Sequence, residues 1–366
     1  VLVLFPDAHN PADREILFST ETNEELAIWE GAKLNKKQAT EATGISNTQW
    51  TPAFERTFHR LMAEAEALYL NDNPHARARI TVETRTAREN AVLREKYPNY
   101  EIERSAPILF SLRALKSQEE VEQMQRACDI TKAGFERVLQ FVKPGVTEYE
   151  IEAELMHEFL SNRSKGFAYS PIIASGSSAC VLHYGENNKS CNEDDVILMD
   201  FGAEYANYSS DLTRCVPVNG RFTSRQKKVY NSVLRVKNEA TKLLKPGVLL
   251  NEYHKMVGEI MEKELIKLQL ISNQDVKNQD PNWPAYKKYF MHGTSHYIGL
   301  DTHDLGSWIN PIEENMVFTV EPGIYIPEEG LGIRLEDDVV VQKNGNPINL
   351  MKNIPIEADE IEELMN

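Results

Sequence analysis

The stretch VILMDFGAEYANYSSDLTRCVPV, residues 196–218, decides the reading of this chain. Val196, Ile197, Leu198 and Met199 form an apolar run of strand length, and the run ends on Asp200. Asp211 follows at the head of a second strand-like run, with AEYANYSS between them as a hairpin connection. Adjacent strands would bring both carboxylates to one end of a sheet. Strand alternation would then put Asp211, Thr213 and Cys215 on one face, with Thr213 as a hydroxyl that orients a carboxylate. An ionised carboxylate taken out of water costs several kcal/mol unless something compensates it. Two acids at the ends of buried strands therefore demand a counter-charge.

The pattern occurs twice. RVLQFVKPGVTEYEIEAELM (137–156) resembles EATKLLKPGVLLNEYHKMVG (239–258), VLHYG (181–185) resembles SHYIG (295–299), and ILMDFG (197–202) resembles FTVEPG (318–323). Each half reads helix, KPGV turn, helix, histidine segment, acidic strand pair. A duplicated α+β domain with a central antiparallel sheet is expected, with a site that draws residues from both halves. In the second half Glu321 ends MVFTVEPG and Glu336 sits in GIRLEDDVVV, where Arg334, Glu336 and Asp338 share a strand face.

Arg214 and Arg334 are too few to neutralise Asp200, Asp211, Glu321 and Glu336. Divalent cations would do so directly, in a pair about 3.5–4 Å apart. HGTSHYIGLDTHDLG (292–306) supplies histidines. As an extended strand it would point His292, Thr294 and His296 to one side, with His303 in the following loop; His183 is the first-half counterpart. An oxygen-rich set suits a hard or borderline ion, Mn²⁺ best, with Mg²⁺, Fe²⁺, Co²⁺ and Zn²⁺ open. No EF-hand loop, P-loop, Rossmann glycine motif, GxSxG or HExxH is present.

Composition sets the outer limits. A chain of 366 residues suggests two domains, and a change of character places them at 1–112 and 113–366. The first, a smaller α/β domain, offers strands VLVLF, ARITVE and APILF and a helix over FERTFHRLMAEAEALYL. The second opens with SQEEVEQMQRACDITKAGFERVLQFVKPG, a helix with a Ser117/Glu120 capping box that Pro144-Gly145 ends. A net charge of -16 excludes nucleic acid and anionic membrane as main partners. Four cysteines without CxxC spacing read as reduced thiols of a cytoplasmic protein, and no apolar run reaches the length of a membrane span. The chain opens on VLVLF without Met, so the amino-terminal domain is expected to be partial.

Taken in order, LHYG, MDFGAEY with SDLTR, HGTSHYIGLDTHD, VEPGIYI and GLGIRLEDD resemble the metal-dependent pita-bread peptidases, and within them the Xaa-Pro aminopeptidases (aminopeptidase P). The motifs span about 166 to 342, and REILFSTETNEELAIWEGAKL resembles that family's amino-terminal domain. The resemblance implies a pita-bread domain with internal pseudo-twofold duplication and two metal ions. It makes Asp200 a ligand of one ion, Asp211 and Glu336 bridges of both, and His296 and Glu321 ligands of the other. It implies a nucleophilic hydroxide between the ions, with Glu321 also the proton shuttle. His183 and His303 would contact transition state and leaving group, His292 would line the substrate pocket, and Tyr325 and Arg334 would support it. The implied reaction removes the first residue from short peptides with proline second, in a homodimer or homotetramer. Prolidase uses the same ligands, but Ser295 before His296 is more similar to aminopeptidase P. Methionine aminopeptidase lacks the front domain and the LDTHD continuation. A non-catalytic binding module of this fold would have lost ligands, and all five are present.

Overall fold

The computed structural model describes residues 1–72 and 81–366, in two compact units, Val1–Pro107 and Ile108–Asn366. This division and the sequence-based one at 112/113 both fall in the helix Ala106–Ala114.

In the first unit, strands Leu2–Leu4, Glu15–Ser19 and Asn47–Trp50 form one sheet, and Ala67–Leu70 pairs in parallel with Glu101–Arg104. Two local expectations are corrected. The helix over FERTFHRLMAEAEALYL stops at Met62, and Ala67–Leu70 becomes a strand because it has a partner in Glu101–Arg104. APILF lies in the helix Ala106–Ala114 rather than in a strand; so short an apolar run has no decisive period of its own. Of ARITVE, Ala78, Arg79 and Ile80 lie outside the described residues, and the remainder is not strand.

The second unit repeats its order of elements. Helix Gln118–Phe141 starts at Ser117, whose Oγ accepts from the Glu120 amide while Glu120 reaches back to the Ser117 amide. It buries Met124, Ala127, Cys128, Phe135 and Val138 on one face. Helix Glu148–Ser161 follows, then an antiparallel sheet of Ile172–Ser175, Val196–Phe201 and Leu212–Pro217. The second copy has helices Ser224–Leu243 and Leu250–Lys267, the hairpin Gly323–Ile326 with Leu331–Arg334, and Val317–Val320 paired with Asp337–Val340. Apolar side chains of both copies merge into one core in which Ile197, Met199, Phe201, Phe318 and Val320 are fully buried. Each contributes about 1.5–3 kcal/mol relative to exposure.

The expected central sheet is divided into pieces. Two three-stranded sheets and the hairpin are separate, and the isolated bridge Thr213 to Glu336 joins the acid-bearing strands of the two halves, with the Glu336 amide 3.1 Å from the Thr213 carbonyl. The strand run breaks at Leu335 and Glu336 between Leu331–Arg334 and Asp337–Val340, which lets Glu336 meet the first half. On the other side, Gly202 sits so close to Ser210 that a Cβ would fall 1.7 Å from its carbonyl oxygen. Only glycine lets the Asp200–Asp211 hairpin close this tightly.

Behind Glu336 lies a buried ion cluster. Arg214 donates to Asp337 Oδ1 at 2.6 Å and to the Glu336 carbonyl at 2.7 Å, and Lys237 from helix Ser224–Leu243 also pairs with Asp337. Burial pushes the Asp337 carboxyl up, but Arg214 and Lys237 together hold it below the ordinary range. Asp337→Ala would leave two buried cations without the carboxylate they share. It should lower the unfolding free energy by about 3–5 kcal/mol in urea titrations followed by circular dichroism.

Candidate active site

Both hairpins deliver their acids to one place. Asp211 and Glu336 are buried, and so is His296. One donor atom from each lies within 4.8 Å of the other two. His296 Nε2 stands 3.4 Å from Asp211 Oδ2 and 3.7 Å from Glu321 Oε1. The other ring nitrogen, Nδ1, lies 2.9 Å from the Tyr297 carbonyl, which can only accept. Nδ1 therefore carries a hydrogen, and Nε2 is the ring nitrogen turned toward the acids, the position a metal ligand would take.

Asp200, at the end of the strand Val196–Phe201, meets Arg334 Nη2 at 2.5 Å. Arg334 also donates to Tyr325 Oη at 2.9 Å and to Thr213 Oγ1 at 3.2 Å, and Thr213 Oγ1 donates to Glu336 Oε2 at 2.6 Å. Thr213 thus orients a carboxylate of the opposite half. Tyr325 Oη is 2.8 Å from His292 Nε2, and His292 Nδ1 is 3.6 Å from Glu321. One chain of contacts therefore links Asp200, Arg334, Tyr325, His292 and Glu321.

The segment carrying His292 and His296 is not the regular strand expected. Gly293 and Gly299 interrupt it, and only Tyr297 forms a bridge, to Phe318. It nonetheless runs along the strand Val317–Val320: the Thr319 amide donates to the His296 carbonyl at 3.1 Å, and the Glu321 amide to the Thr294 carbonyl at 2.8 Å. His303 is exposed, with its ring centroid 4.4 Å from that of His296. Its neighbour Asp304 is buried and pairs with Arg113 and Lys116, which holds the loop. His183 is exposed too, and it is near enough to His292 to depress the latter's basicity.

Two residues absent from the sequence-based site belong to it. Tyr169 Oη lies 2.5 Å from a carboxylate oxygen of both Asp200 and Asp211. It sits three residues before the strand Ile172–Ser175, and nothing in the local sequence distinguishes it from a core tyrosine. His254, on helix Leu250–Lys267, accepts from the Thr294 amide at 3.1 Å and so supports the histidine segment.

The electrostatics identify what the cluster lacks. Burial pushes the carboxyls of Asp211 and Glu336 well above the usual range, and neighbouring acids push them further. Burial raises Glu321 to about 7 against the opposing pull of His296 and Arg334. Burial, with Arg334, lowers His292 to about 3, so that ring is neutral. Among the described residues Arg334 is the one arginine or lysine in an ion pair with these four acids; Arg214 is taken by Asp337. Asp338 adds a further buried acid, accepting the Asp211 amide at 3.0 Å through Oδ2 while Oδ1 has no partner. Four carboxylates and an imidazole nitrogen, with one arginine paired to them among the described residues, fit divalent cations.

A pH dependence follows. Glu321 has an ordinary value of 4.5 and a folded value of about 7, so between them the folded protein binds more protons than the unfolded chain. Asp211, Glu336 and Asp338 are shifted the same way, and these four acids outweigh the opposite effect of the lowered His292 and His254, so stability of the metal-free protein should fall as pH rises through this window. Thermal unfolding in chelator should give a lower midpoint near pH 7.5 than near pH 5, and saturating divalent ion should remove the difference.

The chain is similar to known proteins over both of its units. Residues 122–343 match metallopeptidase family M24, and residues 1–69 match the aminopeptidase P N-terminal domain. The Xaa-Pro aminopeptidase of Haemophilus influenzae is 33% identical over 97% of this chain and 82% of its own. That of Escherichia coli is 33% identical over 100% of this chain and 84% of its own. A solved aminopeptidase from Pseudomonas aeruginosa superposes with TM-score 0.88 at 31% identity, covering 100% of this chain and 85% of its own. A zinc-substituted aminopeptidase P of Escherichia coli in complex with product gives 0.83 at 32% identity, covering 96% and 82%.

Proposed function

The chain belongs to metallopeptidase family M24, and from that premise we propose which of its residues carry the reaction. The reaction is hydrolysis of the bond between an amino-terminal residue and a following proline. The observation that carries the assignment of residues is the convergence of Asp200, Asp211, His296, Glu321 and Glu336 from two hairpins and a histidine segment on one buried, positively undersupplied spot. These five would hold two divalent ions, with manganese the best match to four carboxylates and one imidazole. Such ions would neutralise the acids, polarise the peptide carbonyl and make a water nucleophilic near neutral pH.

The chain's own groups have separate tasks. Glu321, with Oε1 3.7 Å from His296 Nε2 at the edge of the cluster, takes up and returns the proton. His292 and Tyr325, tied to Arg334, form a wall for the proline ring, whose nitrogen carries no hydrogen. His183 and His303 contact the substrate around the scissile bond from exposed loops on either side of His292 and His296. The net charge of -16 gives a field that attracts the free amine an aminopeptidase must recognise.

Short peptides as substrates, a homodimer or homotetramer as the assembly and the cytoplasm as location complete the proposal. Four free cysteines suit a reducing compartment. Among the described residues no helix is long and apolar enough to cross a membrane.

The enzyme should cleave Xaa-Pro-Yaa at least about a hundredfold faster than Xaa-Ala-Yaa, the equivalent of about 2–3 kcal/mol of lost transition-state contact. Acetylation of the amine should abolish cleavage. Equal rates on the two tripeptides would remove the proline specificity, and activity on Xaa-Pro dipeptides alone would make the enzyme a prolidase. His183→Ala should retain its metal, measured by atomic emission, and lose about 10²-fold or more in kcat. An emptied site would make His183 a ligand instead.

A further inference from the structure

We propose that Glu148 is a positioning residue for His183, fixing the loop that presents this exposed histidine to the substrate. The inference rests on the role proposed above for His183. Glu148 is the first residue of helix Glu148–Ser161 and has no exposed surface. Among the described residues it forms no ion pair with an arginine or lysine, so its charge is met by hydrogen bonds. Oε1 accepts from the Ser175 amide at 2.8 Å. Oε2 accepts from Tyr184 Oη at 2.8 Å and from the Lys189 amide at 2.9 Å. In return the Glu148 amide donates to the Lys189 carbonyl at 2.9 Å, so Lys189 is held at both backbone groups. The start of a helix also favours a negative charge.

All three donors to the carboxylate border or lie within the segment that carries His183. Ser175 ends the strand before it, Tyr184 is the next residue, and Lys189 closes it. His183 is exposed and is not fixed by packing, whereas Tyr184 is buried beside it. The rest of the segment is fastened nearby: Lys189 Nζ donates to Ser178 Oγ at 2.6 Å, and Asn187 Oδ1 accepts from the Ile173 amide at 2.9 Å. A buried carboxylate thus ties together both sides of the segment from which an exposed imidazole projects. A charged group is suited to this because each of its bonds is charge-assisted and short. A glutamine would turn one acceptor into a donor facing an amide that can only donate.

A double-mutant cycle separates positioning from simple stabilisation. Wild type, Glu148→Gln, His183→Ala and the double variant would be compared for kcat and KM on an Xaa-Pro-Yaa peptide, with metal content and unfolding midpoint recorded for each. Glu148→Gln should lower kcat about tenfold with KM and bound metal unchanged, and should change kcat less than about twofold once His183 is alanine. An equal loss in both backgrounds, or none in either, would overturn the role of Glu148 and leave that of His183 standing. A fully active His183→Ala would overturn both. Should Glu148→Gln fail to fold, Tyr184→Phe removes one bond to the carboxylate and keeps the ring. The same non-additivity with His183→Ala is then expected, and additivity would overturn the proposal.

Discussion

The structure is organised around the cost of holding Asp200, Asp211, Glu321 and Glu336 together away from water. Among the described residues one arginine meets this group, through Asp200, and the remaining acids are pushed toward their protonated forms by burial and by each other. A protein built only for stability would replace such a cluster with apolar side chains. Here the surrounding elements preserve it. Thr213 bonds to Glu336, Tyr169 bonds to both aspartates, and Arg334 ties Asp200 to the wall formed by Tyr325 and His292.

The duplicated fold explains how acids far apart in sequence are assembled. Each half contributes a hairpin with its carboxylates at corresponding ends, and the Thr213–Glu336 bridge registers one hairpin against the other. The Arg214–Asp337–Lys237 cluster then fixes the strand immediately after Glu336. The bridge has a consequence for the chemistry, because a shift of one half against the other would separate Asp211 from Glu336.

How much of this was legible depended on whether a residue broke a local rule. An acid at the end of VILM or of MVFTV is anomalous in a buried strand, so Asp200 and Glu321 announced themselves, and the repeated KPGV order showed that they belonged together. Tyr169 broke no rule: a tyrosine before a buried strand is ordinary, and its role exists only once Asp200 and Asp211 converge on it. The histidine segment was expected to be a strand because alternation explains its side chains, yet its glycines leave it irregular and it is carried by bonds to Val317–Val320 instead. APILF and EALYL failed as secondary-structure readings for a common reason, since short runs take the conformation that their tertiary partners allow.

The claim on which the account turns is that the acid cluster exists to hold a pair of ions shared between the two halves. Calorimetric titration of metal-stripped protein with Mn²⁺ tests it most directly, with the wild type beside Glu336→Ala. Two ions should bind per wild-type chain, with release of protons, and both should be lost in the variant, since Glu336 would help to hold both. A wild type that saturates with one ion at full activity, or a variant that keeps one ion at undiminished affinity, would contradict it.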